Sequence, residues 1–424
     1  MLWPFQTVPT AQLDQILAST SLKGGHIGVC VTDGHGNVLY DRLANDRFIP
    51  ASNEKIFSVL FALETLGPAT TLKTKIWKSS GRLDVQGSCD PTLEFSQFRE
   101  TRKRLGVSGP TRVHVHVPFA TTLGPGWEWD DLPWYYAAPT SALSVQHTAF
   151  EVWAEKGKLE PLPTELKVKV VRSARSKKLT VKFDPARNIL TVLGKLPSQR
   201  QRLGTFAQPA PVSVVARALG GEAVLESSSP PSREPDAVIE GKPIGEAAKE
   251  CLEESDNMAA EQLLAAAVFK DLQAEGSPYP LAPDKMRDFF ATVLGLGADD
   301  YAPVDGCGLS RHNYVTPASI CKALDWAASR PYSDVWFQAL AGGGEGTLKN
   351  RLKDSSFLGK TGTMSAVVCL SGYAKAPDGA LLSVSLLFNN VRASNAEIRS
   401  VQDRFVKALE QGQGSNGKVN PQHS

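Results

Sequence analysis

Both ends of this 424-residue chain carry pieces of an α/β unit, and a long stretch of different character lies between them. That split constrains the fold more than any other feature, because it makes the two ends one domain divided by an insertion. Near the start, Ile27-Gly28-Val29-Cys30-Val31, the turn run Asp33-Gly34-His35-Gly36-Asn37 and Val38-Leu39-Tyr40 read as a hairpin. Pro50 then stands where a helix start tolerates proline, and Ile56, Phe57, Leu60, Leu63 and Leu66 recur at helical spacing until Gly67. Near the far end, Val367 to Tyr373 and Ala380 to Phe388 read as strands around the turn Pro377-Asp378-Gly379. A helix follows with Ile398, Val401, Phe405 and Leu409 on one face.

From about 68 to 240 strand-like segments such as Lys167-Val168-Lys169-Val170 and Leu179 to Phe183 alternate with turn residues, and Ser227 to Ser232 reads as the exposed loop that closes the stretch. Helical periodicity returns over 244–272. The expected division is one domain from 1–67 and 241–412, an inserted β-rich region at 68–240, and a polar, disordered tail at 413–424. With 42% apolar and 21% charged residues the chain can bury a sizeable core, and 46 basic against 44 acidic residues give no bulk charge for nucleic acid. Leu263 to Phe269 and Ala380 to Phe388 fall well short of the ~20 apolar residues that span a bilayer. Met1 to Thr20 lacks the basic start and apolar run of a secretory signal, so the chain is expected to be cytoplasmic or already stripped of its signal. Cys30, Cys89, Cys251, Cys307, Cys321 and Cys369 show no C-x-x-C and no regular spacing, and are expected to be buried free thiols.

The chemistry is carried by three short segments. In Pro50-Ala51-Ser52-Asn53-Glu54-Lys55, Ser52 and Lys55 stand three apart in the first turn of the expected helix and share a face. A serine hydroxyl needs a base to become a nucleophile, and a lysine in a dry pocket beside another cation can be that base, while the helix start favours a developing oxyanion. Taken alone the signal is weak, and a serine three before a lysine reads first as an ordinary helix start with a solvated lysine. Ser255-Asp256-Asn257 then opens a helical run, and Gly359-Lys360-Thr361-Gly362-Thr363 opens a strand-like one. Ser-x-x-Lys, Ser-Asp-Asn and Lys-Thr-Gly in that order mark serine-acylating penicillin-binding proteins and β-lactamases. In that scheme Ser255 relays a proton to the leaving group, Asn257 holds a substrate amide, and Lys360 is the second cation that attracts a carboxylate. The N–H groups of Ser52 and Thr363 bracket the oxyanion.

The chain resembles the low-molecular-mass class C penicillin-binding proteins, D-alanyl-D-alanine carboxypeptidases/endopeptidases of the S13 peptidase type. The resemblance extends through Asp90-Pro91-Thr92-Leu93, Gly126 to Asp131, Tyr136-Ala137-Ala138-Pro139, Ser141-Ala142-Leu143, Asp305 to Arg311, Gly344 to Leu348 and Leu370-Ser371-Gly372-Tyr373. Cys89 and Cys307 depart from it, standing where the family more usually has Gly or Ser. It implies a penicillin-recognising, β-lactamase-like α/β (α+β) domain with an antiparallel sheet, acting on peptidoglycan stem peptides or their cross-links and inhibited by β-lactams. It also implies export to the periplasm or cell envelope, hence a mature or trimmed chain. Ser52 and Ser255 lie 203 residues apart, less than two full inserted domains would need, so one is expected to be reduced. Asp131, Tyr136, Arg311, Met364 and Ser365, with Thr361, Gly362 and Thr363, match the positions that grip the stem peptide. Asp131 would accept from an ammonium, Arg311 and the Ser365 hydroxyl would bind a carboxylate, and Met364 and Tyr136 would cover the aliphatic stem.

Competing patterns fail on residues. Asp354 occupies the first glycine position of a phosphate-binding loop ending at Lys360-Thr361, and no G-x-S-x-G is present. His114 and His116 share a strand face without a third ligand, so no metal and no cofactor is expected. A β-lactamase of one large class needs a glutamate downstream of Ser-Asp-Asn, and none lies between Gly276 and Val335. A catalytically silent peptidoglycan-binding module is the remaining alternative, opposed by the intact motif residues. Seven basic residues between Lys167 and Lys182, with no acid among them, form a solvated strand face or a contact to anionic wall polymer or lipid head groups.

Overall fold

The structure, a computed structural model, describes residues 8–109, 111–270 and 276–412. The tail expected from residue 413 onward lies outside them.

The two chain ends do meet in one sheet. Six antiparallel strands run in the order Ala341–Gly342, Leu358–Met364, Val367–Lys375, Leu381–Asn389, His26–Thr32, Val38–Arg42, with His26 opposite Asn389 and Val29 opposite Leu386. Leu381–Asn389 carries apolar residues on both faces, with Ser383 and Ser385 buried among them, because both of its faces are covered. Val384, Leu386 and Phe388 face a core shared with the helices Thr10–Leu17 and Asn395–Gln411, whereas Leu387 joins the larger core built on the helices Glu54–Leu66, Asn257–Phe269 and Pro317–Ala328.

The stretch from Leu66 to Ile244 builds three further sheets. One has five strands in the order Gly221–Glu226, Thr111–His116, Arg82–Gln86, Thr71–Ser79, Ala237–Pro243. Its first three strands are parallel, and Thr71–Ser79 pairs antiparallel with Ala237–Pro243, so the chain enters and leaves this stretch on neighbouring strands. Parallel pairing needs crossovers, supplied here by the helices Phe95–Arg104 and Pro211–Ala218, which pack over the core of Val85, Phe98, Val115 and Val215. The two three-stranded sheets share a small core of Phe150, Phe183, Leu190 and Phe206.

The helical stretch expected over 244–272 holds two helices, Ile244–Glu253 and Asn257–Phe269, the second beginning within Ser255-Asp256-Asn257, while 271–272 lie outside the described residues. Ser255 stands at φ +60°, a left-handed conformation that ends the first helix, and Asp256 starts the second by accepting from the Ala259 N–H at 2.8 Å. All six cysteines are buried and free.

Candidate active site

The helix Glu54–Leu66 is apolar nearly all round and runs through the larger core, so its first turn is carried into the interior. Ser52 lies in the short 3₁₀ turn Ala51–Asn53 before it, and Ala51 takes φ +47° to turn the chain there. Lys55 is 0% exposed. Its Nζ donates to Ser52 Oγ at 3.0 Å, Asn257 Oδ1 at 2.6 Å and the Cys307 carbonyl at 2.7 Å. The two carbonyl-type oxygens can only accept, whereas a hydroxyl can also donate. In a neutral amine, then, the two hydrogens go to Asn257 and Cys307 and the lone pair is left for the Ser52 hydroxyl. That is the arrangement a general base needs.

The Leu358–Met364 strand lies directly against this turn. Asn53 Nδ2 donates to the Lys360 carbonyl at 3.2 Å, and a Cβ on Gly362 would fall 2.8 Å from the Pro50 oxygen, so glycine is what permits the approach. Gly308 is held as tightly on the other side, at φ +81° with a hypothetical Cβ only 1.8 Å from the Ala51 oxygen. The Lys360 side chain is also fully buried, and burial first, then the Lys55 charge, hold its ammonium well below the usual lysine range. Its Nζ donates to the Thr361 carbonyl at 3.0 Å. No carboxylate among the described residues forms an ion pair with it.

The structure brings Ser52, Lys55 and Asn257 into direct contact and places Lys360 in the strand beside them. Ser255 stands two residues before Asn257, half-buried. The Asn257 amide is engaged at both its oxygen and its nitrogen. Its Oδ1 is taken by Lys55, and its Nδ2 donates to the Tyr136 carbonyl at 2.7 Å, leaving one hydrogen for a substrate. At the rim the Tyr136 hydroxyl donates to Asp131 Oδ1 at 2.8 Å, and burial first, then Asp131, push that hydroxyl above its usual range. Arg311 donates from Nε to Glu128 Oε1 at 2.7 Å and from Nη2 to the Ser365 carbonyl at 3.2 Å. Thus Ser365 meets Arg311 through its backbone carbonyl, and Glu128 is a partner the sequence did not reveal. Thr363 is exposed and its Oγ1 accepts from Arg399, while Met364 packs half-buried on the larger core.

Asp305 organises the loop behind Lys55. Its two oxygens accept from the N–H groups of Gly308 and Ser310, from Asn313 Nδ2 and from Trp127 Nε1, all within 2.9 Å. Glu261, Asp305 and Cys307 bring ligand-type atoms within 4.8 Å of one another. They fit a metal poorly: both Asp305 oxygens and Glu261 Oε1 already accept from N–H donors, and burial raises the Cys307 thiol well above its usual range. His114 and His116 are occupied by Glu226 and by Asp84 with the Ser228 carbonyl.

A family model described as the D-Ala-D-Ala carboxypeptidase 3 (S13) family matches residues 9–411. A D-alanyl-D-alanine carboxypeptidase from Actinomadura sp. (strain R39) is 28% identical over 94% of this chain and 83% of its own length. The D-alanyl-D-alanine carboxypeptidase DacB of Haemophilus influenzae is 22% identical over 91% of this chain and 90% of its own. Among solved structures, penicillin binding protein 4 (dacB) of Haemophilus influenzae superposes with a TM-score of 0.77 at 19% identity, covering 94% of this chain and 99% of that one. The same protein complexed with a novel β-lactam superposes with a TM-score of 0.71.

Proposed function

This chain belongs to the D-Ala-D-Ala carboxypeptidase 3 (S13) family, a serine peptidase family, and we propose that Ser52 is its nucleophile and Lys55 its base. The observation that carries the assignment is the Lys55 amine, buried and surrounded by two obligate acceptors and one hydroxyl. In this reading Lys55 Nζ takes the Ser52 proton as Oγ attacks the carbonyl between two D-alanine residues of a peptidoglycan stem peptide. Lys360 favours the terminal carboxylate, Ser255 relays the proton to the leaving amine, and the N–H groups of Ser52 and Thr363 receive the oxyanion. Water then releases the acyl group. A β-lactam enters the same route and stays as the acyl-enzyme, consistent with the complex formed by the Haemophilus influenzae relative. Residues 1–67 and 241–412 are read as the catalytic unit and 68–240 as its insertion.

An envelope location follows from this substrate, and no helix among the described residues is long and apolar enough to cross a membrane. A peripheral contact is assigned to the basic segment 167–182, where Lys169, Arg172, Arg175, Lys177, Lys178 and Lys182 are exposed while Lys167 pairs with Glu222. Salt-sensitive sedimentation with cell walls tests that contact. The catalytic reading is tested by incubating the protein with purified peptidoglycan fragments and weighing the products. Release of free D-alanine or of separated stem peptides supports it, and unchanged fragments refute it.

A further inference from the structure

Glu261 follows Asn257 by one turn on the helix Asn257–Phe269, so the two side chains leave the same face. Asn257 reaches Lys55 directly. Glu261, only 1% exposed, reaches it through the backbone: its Oε1 accepts from the N–H of Gly306 at 2.9 Å and of Cys307 at 2.7 Å, and the Cys307 carbonyl accepts from Lys55 Nζ at 2.7 Å. The same loop is held from the nucleophile helix, where Ser58 Oγ donates to the Gly306 carbonyl at 2.6 Å. Gly306 itself lies close on the helix, since a Cβ there would meet Leu264 Cδ2 at 2.9 Å.

We propose that Glu261 is a positioning residue for acylation, gripping both N–H groups so that the Cys307 carbonyl stays aimed at Lys55. The proposal rests on the reading of Ser52 as nucleophile and Lys55 as base. The physical need is directional. With both Asn257 Oδ1 and the Cys307 oxygen in place, a neutral Lys55 amine has only one orientation that satisfies its hydrogens, and that orientation points the lone pair at Ser52 Oγ. If the loop shifts, the amine can turn and the proton transfer loses its geometry. Burial first, then the charge of Asp305, push the Glu261 carboxyl up to about 8, so near neutral pH it is mainly uncharged. What the loop requires is therefore an acceptor oxygen rather than a negative charge, and a glutamine amide has one.

The test uses the full chain and rapid mixing with a fluorescent penicillin, separating the dissociation constant of the reversible complex from the limiting acylation rate. Glu261→Leu, which keeps the volume but removes the acceptor, and Glu261→Ala are expected to slow the limiting rate about 10- to 100-fold, with the dissociation constant within about threefold of wild type. Glu261→Gln is expected to keep a limiting rate within about threefold of wild type. If the alanine variant does not fold, the leucine and glutamine variants decide the matter. A leucine variant as fast as wild type, or a glutamine variant as slow as the leucine one, overturns the proposal. A wild-type chain that takes no label at Ser52 is a different result, which overturns the nucleophile assignment and this proposal with it.

Discussion

His147 Nδ1 lies 3.0 Å from Asp256 Oδ2, an ion pair between the insertion and the residue that caps the helix carrying Asn257. Asp256 raises the His147 imidazole above its usual value. Burial works to raise the Asp256 carboxyl, but His147 and the Ala259 N–H outweigh it and hold the carboxyl below the ordinary 3.8. The signs then fix the window. A raised imidazole contributes stability that is complete below its unfolded value of about 6.5 and is lost as pH rises through the folded value. A lowered carboxyl contributes above its unfolded value and loses that contribution as pH falls through the folded one. His147→Ala should therefore lower the melting temperature more at pH 6 than at pH 9. Equal losses at the two pH values, read by differential scanning fluorimetry, would remove the ion pair as the cause.

Removing the Ser52 hydroxyl deletes one atom from a half-buried turn whose conformation is set by Ala51, Gly308 and Gly362. Ser52→Ala should fold normally and take no covalent penicillin, which intact-mass spectrometry reads directly. A penicilloyl adduct on the alanine variant moves the nucleophile elsewhere. Lys55→Ala should bind penicillin reversibly without acylation, and a normal acylation rate in that variant would exclude Lys55 as the base.

On the proposed reading, Lys360 trades stability for function. It is buried beside Lys55 with a backbone carbonyl as its acceptor, a costly place for a cation. Lys360→Met should be more stable by about 1–3 kcal/mol near pH 7 while acylating more slowly, because a carboxylate loses its attractor. The unfolded chain binds the extra proton between the depressed folded value and the ordinary 10.5, so wild-type stability should rise with pH through that range and the gap to the variant should close. A gap that stays constant up to pH 10 would show that the lysine is not the source.

The parts legible in the sequence are those set by local pattern. The helix between Pro50 and Gly67 and the strands at both ends follow from apolar spacing, and the three motifs needed only their order. What stayed hidden depends on backbone and on distance. The Cys307 carbonyl has no side-chain signature, and Glu261 differs from any other glutamate in a helix only by standing four residues after Asn257. The Arg311–Glu128 pair joins residues 183 apart. Ala51 and Ser255 take positive φ without the glycine that usually announces it. The helix Phe95–Arg104 escaped because it buries little beyond Phe95 and Phe98 and is otherwise charged or polar.

Substrate choice should be written at the rim. Asp131 and Glu128 are two acids at this rim, Asp131 accepting from the Tyr136 hydroxyl and Glu128 paired with Arg311. On the proposed reading, a stem-peptide side chain ending in an ammonium would find an acceptor there, whereas its carboxylate would compete with Glu128 for Arg311. Such contacts are remote from the scissile carbonyl, so losing one should lower kcat/KM by about 1–3 kcal/mol for a peptide that carries the diamino acid. Acylation by a simple penicillin without that side chain should hardly change. Glu128→Gln frees Arg311 and should favour a peptide whose side chain keeps its carboxylate over one that ends in an amine alone. Both rates are to be measured for Asp131→Ala: equal loss on peptide and penicillin, or loss on neither, would place recognition of the side chain away from this rim.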